Sequence, residues 1–334
     1  MKAWVLHDVG DIRYENIKTP NTPSKEVCVL VKAAGICSSD IPRIYETGAH
    51  CMPLILGHEF SGVVERIGSD VSPDWLGKRV AVCPKIPCGK CRECRNGFPE
   101  RCDNYGYIGS RRDGAFAEYV NVPVDNLFPL PEHVSFEVGA MLEPMAVAAN
   151  AMRTSIGRVK SMIPKDKPIA VCGLGTIGIM LVMLLKKAGY EKVYVIGRRE
   201  SQKLRVLEMG ISEDNYCDSC RENVPEWLRK KTDGGVFAFY ECVGKNECVI
   251  YGIEGTTYGG SVVLVGNPYS DMSFSKDIYW KILRKQLHIC GIWNSNFKHS
   301  ISAESEDDWN YVLQRIVDGR VKPEKLITHR FAID

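Results

Sequence analysis

The sequence predicts an α/β protein of two parts, a β-rich first domain and a doubly wound parallel sheet. Three observations predict it. Short apolar runs punctuated by Gly and Pro fill the first part of the chain. From about Ser135 strand-like and helical segments alternate. Within that alternation Gly173-Leu174-Gly175-Thr176-Ile177-Gly178 joins an apolar run to a helical pattern.

In the first part, Ala3–His7, Val27–Ala33, Phe60–Ile67, Arg79–Cys83 and Phe116–Val122 read as strands, with turn residues between them. Their spacing suits a barrel-like or sandwich-like all-β domain. Phe136–Met152, rich in Ala, Met and Val, predicts a helix. Then come a strand at Ile169–Cys172, a helix at Thr176–Ala188, a strand at Val193–Ile196 and a helix at Ser201–Met209. Phe237–Cys242, Val262–Val265 and His288–Gly291 read as further strands. Strands alternating with helices imply βαβ units, and about six strands make the complement of a dinucleotide-binding sheet. The expected division is residues 1–150 for the first domain and 151–292 for the second. Residues 293–334 return to the first, because a lone tail cannot bury its own apolar face.

Composition narrows the function classes. The chain has 334 residues with 45% hydrophobic and 25% charged, the profile of an ordinary globular protein. Its 43 basic and 41 acidic residues leave a net charge of +2, which argues against nucleic-acid binding through a bulk basic field. No apolar run is long enough to span a membrane, and Met1 to Gly10 lacks a secretion-signal pattern. A cytoplasmic location follows as the expectation. Fourteen cysteines in such a chain point to metal rather than disulfides.

Cys88-x2-Cys91-x2-Cys94-x7-Cys102 places four thiolates within fifteen residues, enough to close a tetrahedral zinc site. Pro87, Gly89 and Gly97 supply turns. Such a site has no open position and would be structural; an iron–sulfur cluster or four unrelated thiols are the alternatives. In the glycine stretch, Gly173 makes the tight turn, Gly175 admits a pyrophosphate and Gly178 lets helix and strand pack closely. Thr176 and Ile177 open the helix whose N-terminus faces the phosphates. Nineteen residues past Gly178 stand Gly197-Arg198-Arg199, where an acid would select the ribose 2′-hydroxyl of NAD. Two guanidiniums suit a 2′-phosphate and favour NADP, unless they face solvent or pair with Glu200. A looser set, Cys37-Ser38-Ser39-Asp40, Gly57-His58-Glu59 and Glu143-Pro144, offers a thiolate, an imidazole and carboxylates for a zinc with an open position. Packed core residues are the alternative reading. Cys217-x2-Cys220 has no nearby partner and reads as reduced thiols.

These residues resemble the zinc-dependent medium-chain alcohol and polyol dehydrogenases. The shared elements are Gly35-Ile36-Cys37-Ser38-Ser39-Asp40, Gly57-His58-Glu59-Phe60-Ser61-Gly62, the four-cysteine lobe, Asp113-Gly114-Ala115-Phe116-Ala117-Glu118-Tyr119, Glu143-Pro144 and the glycine fingerprint, in the family's order. Asp40-Ile41-Pro42-Arg43-Ile44, Gly48-Ala49-His50, Ile108 to Gly114 and Lys281 to Lys285 narrow the resemblance to members acting on a polyol phosphate. The resemblance implies a GroES-like catalytic domain with a Rossmann domain inserted before its tail, two zinc ions per chain and a homodimer or homotetramer. It makes Cys37 and His58 zinc ligands, with Glu59 or Glu143 as the next. It makes Ser39 the proton relay and Asp40 the acid that orients His58. Arg43, Arg111 and Arg112 are candidates for the substrate's phosphate, a solvated basic loop being the alternative. Relatives continue beyond the point matching His329-Arg330, so a closing helix and strand are not expected here. Ser38 also differs from many relatives. The expected reaction moves a hydride between a secondary alcohol and the nicotinamide. Free polyols such as sorbitol, or threonine, are alternative substrates. A zinc-ribbon binding module fused to an inactive nucleotide fold is a reading from another class, and metal counting separates the two.

Overall fold

The computed structural model describes residues 1–158, 163–298 and 307–334. Residues 299–306 of the expected tail lie outside the described residues. The chain divides into two compact units, Met1–Ala146 with Ser295–Asp334, and Val147–Asn294.

The first unit carries β1 (Lys2–Asp8), β2 (Asp11–Asn16), β3 (Glu26–Gly35), the helical turn α1 (Asp40–Pro42), β4 (Leu54–Ile55), β5 (Glu59–Ile67), β6 (Arg79–Val82), β7 (Lys85–Ile86), the turn α2 (Arg92–Arg95), β8 (Gly106–Tyr107), β9 (Tyr119–Pro123) and β10 (Leu127–Pro129). A five-stranded sheet runs β10-β6-β5-β3-β9, a three-stranded one β2-β1-β4, and β7 pairs with β8. Val27, Val29, Phe60, Val64, Val80, Val82, Val120 and Val122 form its core. β-branched side chains on a pleated, half-buried surface explain why these runs are strands. The tail returns through a helix over Asp308–Val317: Trp309 is fully buried, with its ring 5.5 Å from that of Phe128.

The expected single helix over Phe136–Met152 is two, α3 (Phe136–Ala140) and α4 (Leu142–Arg158). Pro144 is the reason. It has no N–H to give Ala140 and its ring would strike that carbonyl, so the chain restarts before it, where a first-turn proline is tolerated. Ser135 caps α3 through its hydroxyl, which accepts from the Val138 N–H. The restart puts Glu143 in the first turn of α4.

The second unit contains β11 (Ile169–Cys172), α5 (Thr176–Lys187), β12 (Val193–Gly197), α6 (Glu200–Glu208), β13 (Tyr216–Asp218), α7 (Val224–Thr232), β14 (Val236–Glu241), α8 (Asn246–Gly255), β15 (Thr256–Leu264), α9 (Lys276–Lys285) and β16 (His288–Gly291); α10 (Asp308–Val317) belongs to the tail. The strands form a six-stranded parallel sheet in the order β13-β12-β11-β14-β15-β16. All of β11 and β12 is buried, as expected for strands covered on both faces. The order reverses beside β11, so the loop after that strand lies at a switch point, where α/β sheets take ligands.

Candidate active site and its two metal centres

Register assembles the first metal centre. β3 and β5 are antiparallel, with Gly35 opposite Glu59 and Ala34 opposite Phe60. Cys37 lies two residues past the end of β3, and His58 one residue before β5. Two positions distant in sequence are thereby brought side by side. Gly57 turns the chain into His58 at φ 96°, and a Cβ there would lie 2.6 Å from the Phe116 ring. Only glycine serves at that turn.

The donor atoms of Cys37, His58 and Glu59 all lie within 4.8 Å of one another. Glu143 stands outside that group; its Oε1 accepts from the Tyr107 hydroxyl at 3.3 Å. Asp40, wholly buried, gathers the surround. Its Oδ2 accepts from the Cys37 N–H at 3.3 Å, and its Oδ1 lies 3.5 Å from His58 Nδ1 and 3.1 Å from Arg43 Nη1. Arg43 Nη1 also donates to Ser39 Oγ at 2.9 Å, while Ser39 donates to Cys37 Sγ at 3.3 Å.

The charge of this cluster shows what it fits. Burial, then the nearby Glu143 charge, pushes Glu59 up to about 7. Burial also raises Glu143. Burial alone would lower His58; the neighbouring Asp40 and Cys37 side chains outweigh it and hold the ring well above its ordinary range. Buried acids that cling to protons, around one imidazole, form a site short of positive charge. A zinc ion matches the thiolate, imidazole and carboxylate donor set, with a position left for substrate.

The second centre is the lobe. Cys88, Cys91, Cys94 and Cys102 also place their sulfurs within 4.8 Å of one another. Cys91 and Cys102 sulfurs are 3.8 Å apart, matching the ~3.8 Å edge of a tetrahedron with ~2.3 Å zinc–sulfur bonds and far too long for a disulfide. Backbone N–H groups of Cys91 and Cys94 point at the Cys88 and Cys91 sulfurs. N–H donors from Lys90 and Cys91 bring Cys88 down to about 6, favouring the thiolate that a metal requires. All fourteen cysteines are unbridged.

In the second unit the fingerprint occupies the turn from β11 to α5. Gly173 has φ 95°, and a Cβ on Gly178 would lie 1.9 Å from the Gly173 carbonyl oxygen. A Cβ on Gly175 would meet nothing within 4 Å, so the approach is open. Gly175 is the N-cap of α5 and no side chain caps it, leaving the N–H groups of the first turn, Thr176 and Ile177 included, for an anion. Gly197 ends β12, where a Cβ would lie 2.9 Å from Leu174 Cδ1. Arg198 and Arg199 follow, both exposed, and neither makes an ion pair among the described residues, with Glu200 or any other acid.

The three substrate-anion candidates part company. Arg112 does not fit the expectation: both its Nη atoms donate to the Glu26 carboxylate, at 2.9 and 2.7 Å, so its fork is taken. Arg43 turns inward to Ser39 and Asp40. Arg111 is exposed, with its guanidinium 4.8 Å over the Tyr105 ring. Tyr107 escaped the sequence reading altogether; no spacing rule marks it, and only the β7–β8 pairing and Glu143's helix restart bring it to the site. Cys217 is buried and Cys220 exposed, and neither joins a metal-holding group among the described residues.

A β-rich unit with a mixed-donor cluster and a four-sulfur lobe, in a chain with a glycine-fingerprint parallel sheet, fits a zinc-dependent nicotinamide dehydrogenase. The family models agree: residues 23–132 match the alcohol dehydrogenase GroES-like domain and residues 176–317 the zinc-binding dehydrogenase domain. The chain belongs to the zinc-dependent medium-chain alcohol and polyol dehydrogenases, with a GroES-like and a Rossmann domain, and acts on CH–OH groups. It is 31% identical to galactitol 1-phosphate 5-dehydrogenase of Escherichia coli K12, over 99% of this chain and 92% of that one. The crystal structure of the Escherichia coli galactitol-1-phosphate dehydrogenase gives a TM-score of 0.86, at 30% identity, over 98% and 92% of the two chains. L-threonine 3-dehydrogenase of Rhizobium johnstonii is 30% identical over 96% and 88%. A zinc-binding dehydrogenase from Sinorhizobium meliloti bound to NADP has a TM-score of 0.85 at 28% identity, over 97% and 90%.

Proposed function

We propose that the protein transfers a hydride between a secondary alcohol of a polyol phosphate and NADP, with galactitol-1-phosphate oxidised to tagatose-6-phosphate. The observation that carries the reading is the convergence of Cys37, His58 and Glu59 donors within 4.8 Å in a chain with an uncapped glycine fingerprint. Zinc, when bound, supplies Lewis-acid polarisation of the substrate oxygen, and the nicotinamide supplies the hydride acceptor.

The chain's own residues do the rest. Cys37, His58 and Glu59 would hold the metal, and Asp40 fixes the His58 ring through Nδ1. Ser39 would take the hydroxyl proton on Oγ and pass its own to solvent, since a hydroxyl both accepts and donates. Loss of that proton and of a hydride from the carbinol carbon turns the alcohol into a ketone, and a bound nicotinamide would be the acceptor of the hydride. Arg43 donates into Ser39 and the serine's own hydrogen points to Cys37 Sγ, so the hydroxyl must turn from that sulfur to pass its proton on. Cys88, Cys91, Cys94 and Cys102 would hold a second, structural zinc. Arg198 and Arg199 would clasp the 2′-phosphate of NADP.

Arg111, with no acid partner among the described residues, is the foremost candidate for the substrate's phosphate, with Arg43's remaining donors beside the site. Galactitol-1-phosphate should outperform free hexitols and threonine in kcat/KM, and Arg111→Ala should raise its KM about tenfold or more while leaving the coenzyme KM alone. Equal rates on free hexitols, or an unmoved KM, would remove the phosphate from the reading.

The likeness to a polyol enzyme and the reduced cysteines support a cytoplasmic setting; no helix among the described residues is long and apolar enough to cross a membrane. A dimer or dimer of dimers is proposed through β16. That strand is the edge of the six-stranded sheet, and Ile289 and Trp293 are 40% and 57% exposed beside it. A monomer in sedimentation at micromolar concentration would exclude it.

A further inference from the structure

Two buried carboxylates, Glu59 and Glu143, stand at one metal centre, and the donor set needs only one of them. The structure separates their situations. Glu59 leans over Gly35, its register partner: a Cβ on Gly35 would lie 2.3 Å from Glu59 Oε2. The bare glycine is therefore the space in which that carboxylate sits beside Cys37 and His58. Glu143 has one carboxylate oxygen, Oε1, engaged elsewhere: it accepts from the Tyr107 hydroxyl at 3.3 Å, its hydrogen-bond partner among the described residues.

Tyr107 is itself held. It pairs with Lys85 across β7 and β8, and the next residue, Ile108, is wholly buried. Its ring stands edge-on to His58 at 5.7 Å and to Tyr105 at 6.2 Å. A phenol fixed in this way offers its O–H in one direction, toward Glu143. An acid of similar reach but without such a donor would be drawn to any cation beside His58.

We propose that Tyr107 is a positioning residue: its hydroxyl holds Glu143 back from the metal, and together with the space above Gly35 it assigns the carboxylate ligand position to Glu59. The proposal rests on the metal-dependent function above and names how the chain chooses between its two acids.

A cycle of Glu59→Gln, Tyr107→Phe and the double variant tests it, with Glu143→Gln added to the double as a control. Phenylalanine keeps the ring contacts and removes only the O–H. The readouts are zinc affinity of this site in the holoenzyme, by competition with a chromophoric chelator, and the visible spectrum after cobalt exchange. Glu59→Gln alone should weaken zinc about 100-fold, and Tyr107→Phe alone less than about threefold. In the double variant the released Glu143 should take the empty position, recovering about tenfold in affinity and moving the cobalt bands back toward the parent; Glu143→Gln should erase that recovery. Costs that simply multiply, in a parent that binds two metals, overturn the Tyr107 assignment and leave the enzyme reading standing. A parent that binds metal only in the four-cysteine lobe overturns both.

Discussion

Replacing Cys37 by Ser and His58 by Ala together is expected to reduce kcat/KM by more than about 10⁴-fold. The argument is one of proton affinity. An unassisted alcohol holds its proton about as tightly as water, and a zinc ion can lower the pKa of a bound water from ~15.7 to ~7. Losing two of three protein ligands forfeits that ion. Ser39 would then have to accept a proton from an alcohol that scarcely releases it. The fold should survive, because the β3–β5 pairing from Val27↔Ile67 to Gly35↔Glu59 does not use either side chain. Parent-like thermal unfolding with absent turnover is the expected pair of results. Turnover within about tenfold of the parent would show that the mixed-donor cluster is not where the chemistry occurs.

The second large effect concerns the coenzyme. Arg198→Ala with Arg199→Ala should lower kcat/KM for NADP by about 10²–10⁴-fold and leave NAD within a few-fold, because each charge-assisted bond to a 2′-phosphate is worth ~1.5–3 kcal/mol. The preference should also fall as salt rises, since both guanidiniums are exposed and screened. Placing an acid at 197 to favour NAD requires the Leu174 side chain to shift. A Cβ there meets Leu174 Cδ1 at 2.9 Å and the Tyr216 hydroxyl at 3.3 Å, so the neighbours must yield first. A parent enzyme with full NAD activity and none with NADP would overturn the role given to both arginines.

The architecture was legible because each part has a local signature. Apolar runs with period two, a glycine turn between strand and helix, and four closely spaced thiols need no distant partner to be recognised. β13, three residues long, and β2, which is half-exposed, carry too little apolar pattern to be read. The single helix expected over Phe136–Met152 failed at Pro144, where a missing N–H outweighs helix propensity. At the site, spacing and resemblance together singled out Cys37, His58 and both acids, but could not rank Glu59 against Glu143. The ranking proposed above draws on β-sheet register and on Tyr107, a hydroxyl supplied by a strand of two residues, neither of which has a local signature. Arg112 shows the opposite case. Beside Arg111 in sequence it looks equivalent, yet its partner Glu26 lies 86 residues away, and only the fold reveals that the charge is taken.

An electrophilic metal is proposed to sit with Cys37, His58 and an acid, separate from the one caged by the lobe. Counting zinc on the purified, active protein decides this. Two zinc ions per chain are expected, the mixed-donor one leaving first under a chelator and activity falling in step with it. One zinc per chain with full activity, or activity that outlasts the loss of the more labile ion, would contradict it.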